Sequence, residues 1–343
     1  MFVQRAYQSF INWSPDTIIV YKSDVCNIGK RCDNGENLNF DRAKAYNGVI
    51  SSKSINRYKK ILTAWMNVLQ VGNLEKRVKQ KRIVMITLTL SSKQDFNGTE
   101  TDKMIKRKML EPMLKYLQYN FNIVNWFWRA EPQANGNIHF HILTDKYIPK
   151  LKIQDHWNKI QKRVGMLRDY EAKFEKCNPP STHVQIYDLT EKNIAYILKY
   201  LTKKNDRRKI EGLQFRASNK LCHLKIMSQA IEKNEEISLL NEFDKKAKWK
   251  LYENFFIVYK FEFLVDEHFG LSKRFDLVDK YYLLCYHLMY SQELPSYFIH
   301  LANLYFTDRW KLKFLVEEFK RREIDIEPFF CALALVRLEE NLF

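Results

Sequence analysis

The segment from Ile123 to Thr144 constrains the fold more than any other part of this chain. Ile123–Glu131 (IVNWFWRAE) and Asn137–Thr144 (NIHFHILT) are rich in aromatic and β-branched residues, and Pro132–Gly136 between them is built of turn formers. Two such runs around a short turn predict a β-hairpin. Because side chains alternate faces along a strand, His139 and His141 must point the same way, with Glu131 within reach on the neighbouring strand.

The flanking sequence extends this hairpin into a larger pattern. Arg82–Leu90 (RIVMITLTL) alternates as a strand, Thr101–Asn120 has helical periodicity, Ile153–Val164 predicts a second helix, and Thr182–Tyr187 a further strand. Asp188, Leu189, Thr190 and Glu191 have the spacing of a capping box and open another helix, running to about Lys204. The order β-α-β-β-α-β is the split βαβ arrangement, so the expected class is α+β: an antiparallel sheet with helices on one face. Parity sends Val84, Ile86, Trp126, Trp128, Ile138, Phe140, Val184 and Ile186 to the helices. Thr87, Thr89, Phe127, Arg129, Glu131, His139, His141, His183 and Gln185 then share the opposite, open face.

Outside this core the signal is thinner. Ser51 and Ser52 cap a helix over Lys53–Gln70, while residues 1–50 are mixed, with a turn-rich stretch at Gly29–Asn39. Strand candidates follow at Leu221–Met227 and Phe255–Phe263, and from about Phe275 the pattern is helical and aromatic-rich, broken at Pro295 and Pro328. The expected organisation is an N-terminal extension with a helix over 1–75, a catalytic core over 76–265, and an α-helical C-terminal appendage over 266–343.

The charge points to the partner class. A net +17 in 343 residues, with a pI near 9.4, favours a polyanion, nucleic acid before an anionic membrane surface. No apolar run has the length of a membrane span, and Met1–Trp13 lacks the pattern of a signal peptide. The six cysteines (Cys26, Cys32, Cys177, Cys222, Cys285, Cys331) form no Cys-x-x-Cys, which predicts reduced thiols in a cytoplasmic protein; Cys26 and Cys32 lack two further ligands nearby for zinc.

The chemistry gathers at two places. His139, His141 and Glu131 offer two imidazoles and a carboxylate, a donor set suited to zinc, iron or manganese. An isolated His-x-His also occurs as mere decoration of a half-exposed strand; the carboxylate on the paired strand raises it above that, with Gln133 in the turn as a reserve ligand. Tyr196 and Tyr200 lie one turn apart on a helix, with Lys199 and Lys203 at the same helical spacing from Tyr196. A phenol with an ordinary pKa of about 10 becomes a nucleophile only with help from a metal-activated phosphate, a base or nearby positive charge. Ile197, Leu198 and Leu201 already supply an apolar face, so the tyrosines are free for another use. Phe127 is a candidate base-stacking platform and Arg129 a candidate phosphate contact; Thr87 and Thr89 share their face. Residues 203–220 hold seven basic residues against two acidic, and Arg207, Arg208 and Lys209 there form a candidate track for a nucleic-acid backbone.

Three segments, in order, resemble rolling-circle replication initiators of the HUH endonuclease superfamily. Ile86–Leu90 (ITLTL) is similar to that family's strand motif, Glu131–His141 contains its His-hydrophobic-His core, and Tyr196–Lys203 (YILKYLTK) is similar to its two-tyrosine motif. The resemblance covers about residues 80–226. It implies that Tyr196 or Tyr200 attacks a phosphodiester in single-stranded origin DNA, keeps the 5′ phosphate as a phosphotyrosine, and leaves a 3′ hydroxyl as primer. The second tyrosine then cleaves the regenerated site, and rejoining releases a circle. It also implies magnesium or manganese as the divalent metal, and a phage or plasmid protein in a bacterial cytoplasm. No Gly-x-x-x-x-Gly-Lys-Ser/Thr occurs, so a host helicase and polymerase are expected partners. Two other readings compete: a two-tyrosine transposase with the same chemistry, and a non-catalytic single-strand-binding protein.

Overall fold

The computed structural model describes residues 7–14, 17–24, 51–75, 82–95, 101–174, 178–202, 208–253, 256–260, 272–291 and 294–336. Cys26, Cys32, Cys177, Lys203, Arg207 and the turn-rich stretch at 29–39 lie outside them. Ten strands are described: β1 (Tyr7–Trp13), β2 (Thr17–Asp24), β3 (Arg82–Leu88), β4 (Trp126–Pro132), β5 (Ile138–Thr144), β6 (Thr182–Asp188), β7 (Phe215–Ala217), β8 (Met227–Ile231), β9 (Trp249–Glu253) and β10 (Phe256–Lys260). They form two antiparallel five-stranded sheets, ordered β6-β3-β5-β4-β7 and β8-β1-β2-β10-β9. The fold is α+β, as expected. The chain divides into two compact units, one of residues 43–62 and 76–222, the other of 1–42, 63–75 and 223–343.

The first of these units holds the split βαβ core. Its order β6-β3-β5-β4 is what results when two β-α-β halves interleave, and β7 extends it at the β4 edge. One face carries Val84, Ile86, Leu88, Trp128, Ala130, Ile138, Phe140 and Ile142, all buried against residues of two helices, Glu111–Phe121 and Lys150–Arg163. Met113, Leu114 and Leu117 come from the first helix, and Ile153, Trp157 and Ile160 from the second. Trp126 and Val184 pack at its margin, as parity requires, but Ile186 on the edge strand β6 is exposed. An edge strand has a neighbour on one side only, so its apolar residues are covered less.

Local signals set the element ends. Thr101 caps the helix that begins at Asp102, its hydroxyl accepting from the Met104 amide at 3.3 Å. That run passes through a π-helical turn at Lys106–Leu110 and stops after Phe121, where Asn122 adopts a left-handed conformation. The hairpin turn closes through Gln133 N to Asn137 O at 2.8 Å and Gly136 N to Gln133 O at 3.0 Å. Gly136 takes a φ of 88°, which only glycine adopts without strain. The tyrosine helix spans Glu191–Thr202. Its cap is Thr190, whose Oγ1 accepts from the Asn193 amide at 3.3 Å, rather than the Asp188 of the expected box. Asp188 ends β6 instead, and its carbonyl accepts from the Asn193 side chain.

The second unit holds the sheet that sequence patterns left largely unread. β8, β9 and β10 pair directly or in series with β1 and β2, so 227–260 groups with the N-terminal strands rather than with the catalytic core. Leu221–Met227, expected as a strand, is a short helix (Asn219–His223) followed by the start of β8. Ile11, Trp13, Ile18, Val20, Met227, Ile231 and Tyr259 form its buried face. Phe243, from the helix Lys233–Lys246, meets Trp13 edge-on at 6.1 Å and Tyr259 at 5.4 Å between ring centroids. The helix Ser52–Glu75 contributes Asn67, which donates to Tyr282 Oη and Ser14 Oγ at 3.1 Å each. Tyr282 in turn donates to the Trp13 carbonyl at 2.8 Å. The helices Ser272–Tyr290, Phe298–Thr307, Arg309–Arg321 and Glu327–Leu335 complete this unit and supply the expected helical C-terminus. Among the described residues no helix is long and apolar enough to cross a membrane.

Candidate metal centre and nucleophile

β4 and β5 pair in a register that sets Glu131 opposite His139 and Arg129 opposite His141. Glu131, His139 and His141 therefore meet on the face away from the main core, each offering a ligand atom within 4.8 Å of the others. The two imidazole Nε2 atoms are 2.8 Å apart, and Glu131 Oε2 lies 3.7 Å from that of His139 and 3.6 Å from that of His141. β3 runs beside β5 and sets Thr87 opposite His141, so that Thr87 Oγ1 sits 3.0 Å from His141 Nδ1. With the Nδ1 proton donated to that hydroxyl, the Nε2 lone pair of His141 is directed at the cluster. Two imidazoles and a carboxylate with one ring already oriented are a fit for a divalent ion of the zinc, iron or manganese kind.

The electrostatics agree with a ligand set. Burial works to raise the Glu131 carboxyl, but hydrogen bonding to His139 and His141 and the charge of Arg129 outweigh it and hold the carboxyl well below the usual range. Burial pushes His141 down, against the opposing pull of Glu131. A carboxylate kept ionised beside an imidazole kept neutral is the protonation state in which both bind a cation.

The tyrosine helix brings its phenols to the same place. Tyr200 Oη lies 3.0 Å from His141 Nε2, and its ring meets the His141 ring edge-on at 5.0 Å. Tyr196, one turn earlier, stacks on Tyr200 at 6.0 Å and lies 5.9 Å from the ring of Tyr187 on β6. Ile197 and Leu201 are buried on this helix, so they dock it while the tyrosine stripe faces the histidines. The two phenols differ in setting. Tyr196 is 50% exposed, whereas Tyr200 is half-buried, and burial, the Glu131 charge and Tyr196 push its hydroxyl up to about 12. Lys199 is exposed on the same helix.

Several residues expected to meet nucleic acid are engaged otherwise. Phe127 is fully buried, its ring 5.6 Å from Tyr58 and 6.2 Å from Phe215. Its side of the sheet is covered by the helix Ser52–Glu75 through Tyr58, so it packs and offers no stacking platform. Arg129 is only 1% exposed, paired with Glu131 Oε1 at 2.9 Å and donating to the Tyr200 carbonyl at 2.8 Å, which leaves no exposed phosphate contact. Thr87 serves His141, and Thr89 Oγ1 donates to the Ser181 carbonyl at 2.9 Å. Arg208 is held by Asp102 through contacts of 2.6 and 2.8 Å and donates to the Gly136 carbonyl at 2.7 Å. Lys209, His183 and Gln185 are exposed.

The scaffold behind the hairpin was not foreshadowed by any sequence pattern. Asn137 Oδ1 accepts from the Gln94 amide and its Nδ2 donates to the Ser92 carbonyl, while Gln94 accepts from the Ile138 amide and donates to Asp102. Asp102 also accepts from Arg208 and from the Glu211 amide, so one buried carboxylate joins the hairpin, the first helix and the chain beyond the tyrosine helix. Lys106, donating to the Glu211 carbonyl, is buried beside them and pushed down to about 8. Polar residues scattered over 92–211 show no periodicity, so only the turn-forming Asn137-Gly136 pair hinted at this network.

No curated protein and no solved structure matches the chain. Residues 83–205, which carry the strand motif, both histidines and both tyrosines, match the family of replication-associated proteins of the ORF2 and gene 2 protein type.

Proposed function

We propose that the core around this site is a metal-dependent, site-specific nickase of single-stranded DNA that initiates rolling-circle replication. The observation that carries the reading is the meeting of Tyr200 Oη with His141 Nε2 at 3.0 Å, beside Glu131 and His139, inside the segment that matches replication-associated proteins. His139, His141 and Glu131 would hold the ion, magnesium or manganese by the family resemblance. A bound divalent ion supplies a Lewis acid that polarises the scissile phosphate and stabilises charge in the transition state.

The chain's own residues do the rest. Thr87 and Arg129 keep one imidazole and the carboxylate aimed at a common point. The tyrosine oxygen attacks phosphorus, the P–O3′ bond breaks, and the departing 3′ oxygen ends protonated while the 5′ phosphate stays on the enzyme. The reverse attack by the 3′ hydroxyl rejoins the strand and frees the tyrosine. Tyr200 is positioned for the first attack and Tyr196, stacked on it, for the second. Lys199, and Lys203 from the same sequence motif, supply positive charge for the phosphate. The helicase and polymerase would come from the host cell's cytoplasm.

The test is conversion of labelled single-stranded circles, carrying the replicon's own intergenic region, to linear DNA. Linearisation with manganese, none with EDTA, and none by the Tyr196→Phe/Tyr200→Phe double variant are expected. Tight binding without linearisation under every metal would replace the nickase with a single-strand-binding protein.

A further inference from the structure

Arg129 is the largest charged side chain fully buried among the described residues, and it sits where the two halves of the site join. Its guanidinium is 1% exposed, with Nε 2.9 Å from Glu131 Oε1 and one terminal nitrogen 2.8 Å from the carbonyl oxygen of Tyr200. These partners are the carboxylate of the candidate metal set and the backbone of the candidate nucleophile. They come from different elements, β4 and the tyrosine helix.

The contact to Tyr200 has a clear physical basis. The helix ends at Thr202, so the Tyr200 carbonyl belongs to its last turn, where carbonyls have no amide partner within the helix. A cation there satisfies one such oxygen and meets the negative end of the helix dipole. The planar guanidinium can reach two acceptors in fixed directions at once, which the single ammonium of lysine does not reproduce. We infer that Arg129 is a positioning residue: it couples the metal-binding carboxylate of Glu131 to the backbone of Tyr200, so that the tyrosine hydroxyl and the bound ion keep a fixed separation. The inference rests on the nickase reading, but its first consequence, an oriented carboxylate, is measurable without DNA.

The experiment uses the full chain with Arg129→Lys and Arg129→Gln. Manganese binding is followed by electron paramagnetic resonance of the free ion, single-strand affinity by anisotropy at fixed salt, and adduct formation by denaturing gel with peptide mapping. Loss of a residue that orients a ligand costs about 10–100-fold in metal affinity or activity. Both variants are therefore expected to bind manganese at least about tenfold more weakly. Their adduct should form more slowly and shift from Tyr200 toward Tyr196, with single-strand affinity unchanged.

Wild-type manganese binding and adduct distribution in Arg129→Lys would overturn the proposal, since charge alone would then suffice. A parallel fall in single-strand affinity and rate, with manganese binding intact, would overturn it in favour of a DNA contact. Loss of cooperative unfolding in both variants would also overturn it, making Arg129 a requirement of the fold. If the wild type forms no adduct but the variants still lose manganese, the nickase reading fails and the ligand-orienting half of the inference stands.

Discussion

Phe127 and Arg129 lie two positions apart on β4 and share the site face, yet both are buried. Strand parity assigned their face correctly and their exposure wrongly, because parity carries no information about what packs on that face. Tyr58 and the tyrosine helix cover it, and neither is adjacent in sequence to β4. Phe127→Ala should therefore cost about 3–5 kcal/mol of stability, the range for emptying an aromatic site in a core, measured by urea unfolding. Single-strand affinity of the folded variant should be unchanged. A drop of about 1–3 kcal/mol in binding with stability preserved, as for a stacked base, would restore the stacking role. The candidate ligands were legible for the opposite reason: His139, His141 and Glu131 are tied together by strand alternation and a short hairpin, both local properties.

At the scale of elements, the scaffold joins pieces far apart in the chain. Asp102 lies at the start of one helix and Arg208 beyond another, and no periodicity links them. Burial works to raise the Asp102 carboxyl, but hydrogen bonds from Arg208, Gln94 and the Glu211 amide outweigh it, so it lies below its ordinary value. A carboxylate with a lowered folded pKa adds stability that is present above its unfolded pKa of about 4 and lost as pH falls through the folded value. Asp102→Asn should remove about 3 kcal/mol near neutral pH, as for breaking a buried ion pair. Its loss of stability on acidification should also be shallower below about pH 4 than the wild type's. Unfolding followed from pH 3 to 7 checks both, and parallel curves would contradict the assignment. In the other unit, a Cβ on Gly72 would meet the ring of the buried Tyr286. Alanine in place of a helical glycine ordinarily gains about 1 kcal/mol, but overpacking costs about 1–3 kcal/mol. Gly72→Ala should thus lower Tm, and a raised Tm would mean that the ring yields freely.

Across the whole molecule the charge is divided unevenly. The unit of residues 43–62 and 76–222 holds 35 Lys and Arg against 14 Asp and Glu, a net of +21, so the other unit is at −4 within the total of +17. The polyanion signal read from bulk composition is therefore confined to the unit that carries the histidines and tyrosines. Neutralising Arg107, Lys108 and Lys209 together to Gln should weaken single-strand binding and flatten its salt dependence by about 0.7 for each phosphate that is no longer neutralised. The same change at Lys225, Lys245 and Lys313 should leave both untouched. Equal effects from the two triples, in anisotropy titrations over a salt series, would contradict the division. The second sheet escaped sequence reading because its strands come from both ends of the chain, and pairing at such separation leaves no local mark. The most direct test of the account is the covalent intermediate itself, trapped with manganese on labelled origin DNA and mapped by mass spectrometry of the tryptic peptides. A 5′-phosphate on Tyr200, absent when His139 and His141 are replaced by Ala, is the predicted result; DNA cleaved with no phosphotyrosine on either tyrosine would contradict it.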